Sequence, residues 1–271
     1  MKERSLVAFT ILSQMAIGAF WLLSVLNGVN AVNLLFLTAI MLVALAASFL
    51  HLGSPRRAWR AFGGWRSSWL SREVLCAALF TALLGGLTLA AWLPIDLASA
   101  GTWLAALCGL ALLISMTQVY RLRTTPAWNQ WPTTASFFIT TLLLGALLCR
   151  LLIGGRPWLA VLALALLGAQ QAIGRRRPWA DRWPQLIPAL RLLAAGALVI
   201  ALFAPLWIAW LAGFLLALSG EVLARAQFYE MRKPRGVWRF AAHSTILQTG
   251  QLGLRAWHIS RPSRMIFRWA A

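Results

Sequence analysis

The sequence predicts an all-α membrane protein, a polytopic bundle of eight transmembrane helices that carries no haem. Three observations lead there. Of the 271 residues, 61% are hydrophobic and only 11% are charged, against about a quarter in an ordinary soluble domain. The apolar residues fall into eight runs close to the length of about 20 residues that a bilayer crossing needs. The remaining charges gather between alternate runs. This composition excludes a soluble globular enzyme and a disordered chain. A net charge of +19 on a soluble protein would suggest nucleic acid. Here the apolar fraction overrides that, and the arginines belong to loops facing a membrane surface or a partner.

The spans fall at roughly 6–27, 33–50, 74–93, 102–120, 135–153, 157–173, 186–204 and 206–226. Turn-forming residues mark the cuts. Asn27, Gly28 and Asn30 separate the first pair, Pro94 and Asp96 end the third span, and Pro126 and Pro132 bracket the loop after the fourth. Gly154, Gly155 and Pro157 divide the fifth from the sixth, and Pro205 marks a tight turn before the eighth. The sixth span has the weakest signal, being short and carrying Gln170 and Gln171. The first follows a basic start as a signal peptide would, but its apolar run is longer than a signal core and no small-residue cleavage site follows. It is expected to be retained.

Loop charges predict the orientation. Thirteen Lys and Arg residues lie at the N-terminus and in the second, fourth and sixth loops, against Arg150 and Arg156 in the opposite loops. Basic loops stay in the cytoplasm, so both termini are expected there, in a multi-pass membrane protein. Trp59, Trp65, Trp69, Trp92, Trp103, Trp128, Trp131 and Trp158 cluster near span ends and read as interfacial anchors. Two units are expected: a membrane domain over 1–229 and a basic cytoplasmic tail over 230–271. The tail's eight basic residues and its Trp238, Trp257 and Trp269 suit a segment lying on anionic headgroups, or else a dock for a soluble partner. Cys76, Cys108 and Cys149 all sit in apolar runs and form no C-x-x-C, so they are expected to be small core residues rather than ligands of a metal or cluster.

Ionisable groups inside spans are costly and are candidates for function. They are few: Glu73 opens the third span, Arg191 lies early in the seventh, and Glu221 and Arg225 lie four apart near the end of the eighth. His51 closes the second span and Tyr120 the fourth. Counting crossings puts all of them at one membrane face, whichever way the polypeptide is inserted. Plainer accounts exist for several. Glu221 with Arg225 fits an intrahelical pair, Arg191 fits a snorkelling side chain, and Tyr120 fits an aromatic belt. His51 and Glu73 are harder to dismiss together, because one loop returns both to the same depth.

A neutral imidazole and a carboxylate at a lipid–water boundary suit oxidation of a lipid-soluble quinol, which sheds two protons with two electrons. Histidine, ordinarily titrating near pH 6.5, accepts one from a ring hydroxyl, and a carboxylate accepts or relays the other. Arginine can hold an anionic quinol or pair with the carboxylate. Only His51 of the three histidines borders a span, which argues against a bis-histidine haem. Without a cysteine cluster there is no iron–sulfur centre, and no phosphate-binding loop is present. Electrons leaving a quinol here need another subunit to receive them.

These residues resemble the DmsC-type membrane anchor subunits of bacterial dimethyl sulfoxide reductases and related molybdoenzymes. His51-Leu52-Gly53-Ser54-Pro55-Arg56 is similar to that family's His-Leu-Gly-x-Pro motif, and Ser71-Arg72-Glu73 follows at the family's spacing. Val119-Tyr120, Thr125-Pro126-Ala127-Trp128 and Trp131 resemble its fourth loop, and Gly220-Glu221, Arg225 and Phe228-Tyr229 its last helix. The resemblance covers about residues 5–229. It implies a haem-free eight-helix bundle that anchors a molybdopterin catalytic subunit and an iron–sulfur electron-transfer subunit and exchanges electrons with menaquinol. His51 and Glu73 match residues tied to quinol chemistry; Arg56, Arg72, Tyr120, Arg191, Glu221 and Arg225 complete the expected quinone-binding set, with no metal site. The tail after Tyr229 departs from the family's short end. Orientation is not carried over from the family and rests on this protein's own arginines. An anchor passing electrons from a sulfite-oxidising molybdoenzyme to quinone fits the same residues. A secondary transporter would favour interrupted helices near the midplane, and a purely structural anchor would not need His51 with Glu73.

Overall fold

The computed structural model describes residues 2–51, 63–93, 98–121, 128–154, 156–175, 185–204 and 206–230. Eight helices account for most of them: α1 (Lys2–Val25), α2 (Ala31–His51), α3 (Trp69–Trp92), α4 (Ala98–Tyr120), α5 (Trp131–Ile153), α6 (Pro157–Arg175), α7 (Leu186–Phe203) and α8 (Trp207–Glu230). Each is long and apolar enough to cross a membrane, and no strand occurs among the described residues. The protein is an all-helical, multi-pass membrane protein, as the composition predicts.

Local chemistry sets the ends. Asn30 accepts from the Asn33 amide at 2.9 Å and so caps α2. Asn27 takes a positive φ of 53° in the turn before it, a conformation that asparagine tolerates better than most residues. Ser68 caps α3 by accepting from the Ser71 amide, which starts the helix at Trp69 rather than near 74 and places Glu73 in its second turn. α5 likewise starts before the expected 135, because Pro132 sits in its first turn rather than in the loop. Proline is tolerated there, where its missing N–H has no helical partner to lose. Gly154, at φ 64°, ends α5. α8 continues past 226 to Glu230, carrying Phe228 and Tyr229 into the core. Pro94, Asp96, Pro126, Gly155 and Pro205 lie outside the described residues, as does the segment 231–271 with His243 and His258.

Packing forms two four-helix rings. In one, α1 packs on α2, α2 on α3, α3 on α4 and α4 on α1; in the other, α5 to α8 close in the same way. α1 and α5 join the rings, and α1 also touches α8. These two are the most enclosed spans, 72% and 61% buried, whereas the others leave most of their surface for lipid. Gly18 and Gly145 make the joint. A Cβ on Gly18 would overlap the Thr141 carbonyl, and one on Gly145 would overlap the Gly18 backbone. Small residues that let backbones touch are how membrane helices associate tightly.

Candidate functional site

Polar side chains gather at one end of the bundle, the end where α1, α3, α5 and α7 begin and α2, α4, α6 and α8 finish. Glu221 lies on α8 about 13 Å inside its end, at 1.5 Å per residue. It is buried, and Arg191 of α7 grips its Oε1 from Nη2 at 2.8 Å and from Nε at 3.1 Å. Its other oxygen accepts from Thr140 Oγ1 of α5 at 2.7 Å and from Gln170 Nε2 of α6 at 3.2 Å. Gln170 also donates to Thr140 Oγ1 at 2.8 Å and to the Ser136 carbonyl at 3.1 Å, and it accepts from Ser136 Oγ at 3.2 Å. Arg191 Nη1 reaches the Gln170 carbonyl at 3.3 Å. One carboxylate thus binds all four helices of the second ring together.

Two sequence readings change here. Glu221 pairs with Arg191, not with Arg225 one turn along its own helix. Arg191 does not snorkel to the interface; it is buried against its acid. Rotation about each helix axis decides this, and the sequence does not encode that rotation locally. Gln170, which weakens the apolar signal of the sixth span, is 1% exposed and serves as the hub of the network. Gln171 donates to the Pro188 carbonyl at 3.2 Å, tying α6 to α7.

A second cluster lies nearer the membrane face. Tyr229 donates to Tyr120 Oη at 3.1 Å and reaches Thr10 Oγ1 at 3.3 Å. Tyr120 is buried among Trp128, Phe137, Phe228 and Tyr229, with ring centroids 5.4–5.7 Å away. It is therefore a core residue rather than a belt residue. Trp128 also departs from the anchor reading: it is buried, stacked on Phe228 and bonded to the Phe228 carbonyl at 3.2 Å. Trp65, Trp69, Trp92, Trp103, Trp131 and Trp158 are exposed, as anchors would be. Arg225 turns inward, donates to Gln14 Oε1 at 3.0 Å and lays its guanidinium 3.7 Å from the Phe137 ring centroid. Between α5 and α8 lies a narrow cleft with a volume of about 10 Å³, lined by Thr133, Ser136, Phe137, Glu221, Ala224, Arg225 and Phe228.

Glu73 is 3% exposed and its Oε1 has no hydrogen-bond partner among the described residues. It lies within electrostatic reach of Tyr120 and Tyr229. An unpaired carboxyl oxygen at membrane depth is expensive, so Glu73 stands apart from the satisfied Glu221. Arg72, beside it, faces the other way: it bonds the Trp65 and Arg66 carbonyls at 2.8 and 2.7 Å and stacks on Trp69. It braces the start of α3 and does not join the cluster. His51 ends α2 at this same face; its side chain, and Arg56 and Trp59, lie outside the described residues. Thr10, Gln14, Ser136, Thr140 and Gln170 belong to the site although the sequence does not single them out as site residues. Their signal was weak, since hydroxyls and amides are common in spans.

Comparison with known proteins agrees with the residues. A family described as DMSO reductase anchor subunit (DmsC) matches residues 1–173. The C polypeptide of the anaerobic dimethyl sulfoxide reductase from Haemophilus influenzae is 35% identical over 155 residues, 53% of this protein and 56% of that one. The match thus spans little more than half the length of that relative. The YnfH polypeptide of an anaerobic dimethyl sulfoxide reductase from Escherichia coli is 32% identical over 195 residues, 63% of this protein and 67% of that one. The C polypeptide of a sulfite dehydrogenase from Allochromatium vinosum is 35% identical over 123 residues, 40% of this protein and 38% of that one. No solved structure matches. Arg191, Glu221 and Arg225 lie beyond the residues matched by the family.

Proposed function

The protein belongs to the dimethyl sulfoxide reductase anchor subunit (DmsC) family, and from that premise we propose that it oxidises menaquinol at the polar end of its bundle. It is a multi-pass membrane anchor. The electrons pass to an iron–sulfur subunit and on to a molybdopterin catalytic subunit, both held to the bacterial inner membrane by this anchor. Both termini face the cytoplasm, on the strength of the 13 basic residues at that face against two at the other.

The observation that carries the reading is the buried Glu73 carboxyl oxygen, without a hydrogen-bond partner among the described residues, beside the Tyr120–Tyr229 pair. A carboxylate oxygen whose lone pair accepts no hydrogen bond can take and release a proton without breaking an existing hydrogen bond. His51, at the same end of the bundle, accepts the first proton from a quinol hydroxyl, and Glu73 accepts or relays the second. The aromatic cluster supplies a flat, apolar wall for the ring. The described helices run unbroken and their polar groups crowd one end, which is unlike the interrupted midplane helices of a secondary transporter.

The test uses the assembled complex. His51→Ala and Glu73→Gln are each expected to lower quinol-dependent turnover by about 10²–10⁴-fold. Activity with a soluble artificial electron donor, and attachment of the catalytic subunits to membranes, are expected to persist. Full quinol-dependent turnover in both variants would place the site elsewhere; loss of attachment would make the residues structural. The similarity to a sulfite dehydrogenase polypeptide supports the reverse direction as a second reading, in which the same residues deliver protons to a quinone. Turnover assays with sulfite and quinone distinguish the two.

A further inference from the structure

Gln227 is 8% exposed, and its amide nitrogen has no hydrogen-bond partner among the described residues. A buried donor left without an acceptor is uncommon and calls for a reason. Its place in the bundle follows from the register of α8 on α7. A Cβ on Gly213 would meet Leu198 and the Ala194 carbonyl, and one on Gly220 would meet Leu190 and Arg191. Gln227 is the next residue at the same interval on that face of α8. Each such step moves the contact toward the start of α7, so Gln227 comes level with its first turn. No side chain caps α7 at Gln185, and Pro188 has no N–H, so the amides of Leu186 and Ile187 point out of the helix end. α6 brings a cation to the same place. Gln171 donates to the Pro188 carbonyl at 3.2 Å, and the exposed Arg175 lies one turn further out on the same face of α6. Donors from α6, α7 and α8 thus meet at one corner of the bundle. Glu230, three residues beyond Gln227, has an interaction of its own.

We propose that this corner binds the phosphate of an anionic phospholipid. A helix N-terminus receives phosphate through its free amides and the positive end of its dipole. Gln227 adds a buried donor, and Arg175 adds a charge-assisted contact. The surroundings favour a lipid over a soluble anion. α7 is the least enclosed of the eight spans, 22% buried. Leu186, Leu193 and Ile200 are exposed and follow one another at equal intervals up one side of it, starting from its first residue. They offer a track for an acyl chain hanging from the headgroup. Basic pockets between helices at a membrane surface take lipid headgroups in this way. The site uses none of the residues placed in quinol chemistry, so its failure would leave that reading untouched.

The test measures the thermal unfolding midpoint of the full-length protein in detergent, alone and with added phosphatidylglycerol, phosphatidylcholine or inorganic phosphate. A ligand of the folded state raises the midpoint according to its affinity. Phosphatidylglycerol is expected to raise it, binding about 10-fold more tightly than phosphatidylcholine. Inorganic phosphate at the same concentration is expected to leave it unchanged. Arg175→Gln and Gln227→Leu should each weaken phosphatidylglycerol about 10-fold, whereas Arg156→Gln, at the other end of the bundle, keeps the full response. Without lipid, Gln227→Leu should unfold at or above the wild-type midpoint, because the amide nitrogen it removes has no partner among the described residues. A lower midpoint there makes Gln227 a structural residue and overturns the proposal. So does an undiminished response to phosphatidylglycerol in both variants. Equal responses to the two lipids overturn the anionic preference, and an equal response to inorganic phosphate overturns a lipid as the occupant. If Gln227→Leu fails to fold, Arg175→Gln decides alone: a weakened response supports the site and a full one overturns it.

Discussion

Two glutamates lie buried at the same end of the bundle, one in each four-helix ring, and their surroundings could hardly differ more. Glu221 receives four hydrogen bonds from three neighbouring helices. Glu73 has a carboxyl oxygen that receives none among the described residues. In lipid, where water cannot make up the deficit, a saturated carboxylate is a fastener and an unsaturated one keeps its proton chemistry open. Labour is divided between the rings: α5–α8 forms a cross-bonded frame, and α1–α4 carries the buried carboxyl whose Oε1 has no partner among the described residues.

The contrast can be broken most sharply at its saturated side. Glu221→Ala leaves Arg191 buried without its acid, and stranding one member of a buried pair costs about 3–5 kcal/mol. A large drop in the thermal unfolding midpoint in detergent is expected, while Glu73→Gln should unfold close to wild type. Equal melting of the two variants would erase the distinction. At the joint between the rings, Gly145→Leu forces α1 and α5 apart, and overpacking of this kind costs about 1–3 kcal/mol. Yield and melting temperature of the purified protein check it. Gln170→Leu keeps the volume but removes the hub; each lost partner of a buried polar group costs about 1–3 kcal/mol, and a more apolar sixth span offsets part of it. The smallest effect belongs to Tyr229→Phe, which deletes the hydroxyl bridging Tyr120 and Thr10. About 0.5–1.5 kcal/mol of stability is expected to go with it, measured by the same melting curves.

Hydropathy made the eight spans legible, because crossing a bilayer demands a long apolar run and little else. The same rule exposed Glu73, Arg191, Glu221 and Arg225, since a charge inside such a run is conspicuous. Partner choice was not legible. The i,i+4 spacing of Glu221 and Arg225 predicts a contact on an isolated helix surface, but neighbouring helices offered Arg191 to one and Gln14 with Phe137 to the other. Depth is written in the sequence and helix rotation is not. For the same reason Trp128 and Tyr120 looked like interfacial residues: a ring near a span end has the same signature whether it faces lipid or the core. Gln170 was misleading in an instructive way, since the polarity that weakened a span is what the frame is built on.

The contacts of α1 have a consequence for how the protein is made. α1 leaves the ribosome first, but much of what satisfies it comes late: Gly145 lies in the fifth helix, and Arg225 and Tyr229, the partners of Gln14 and Thr10, lie in the eighth. Through most of synthesis the first helix must wait in the bilayer with its Gln14 amide unclaimed and its glycine groove empty, while the Thr10 hydroxyl is held by the Leu6 and Val7 carbonyls of its own helix. Nascent polypeptides halted before the fifth helix would expose that face to the quality-control proteases of the membrane. Completion of α8 is then the event that commits the protein to survival, so defects in the last helix should be felt as early degradation of the whole polypeptide rather than as loss of its end.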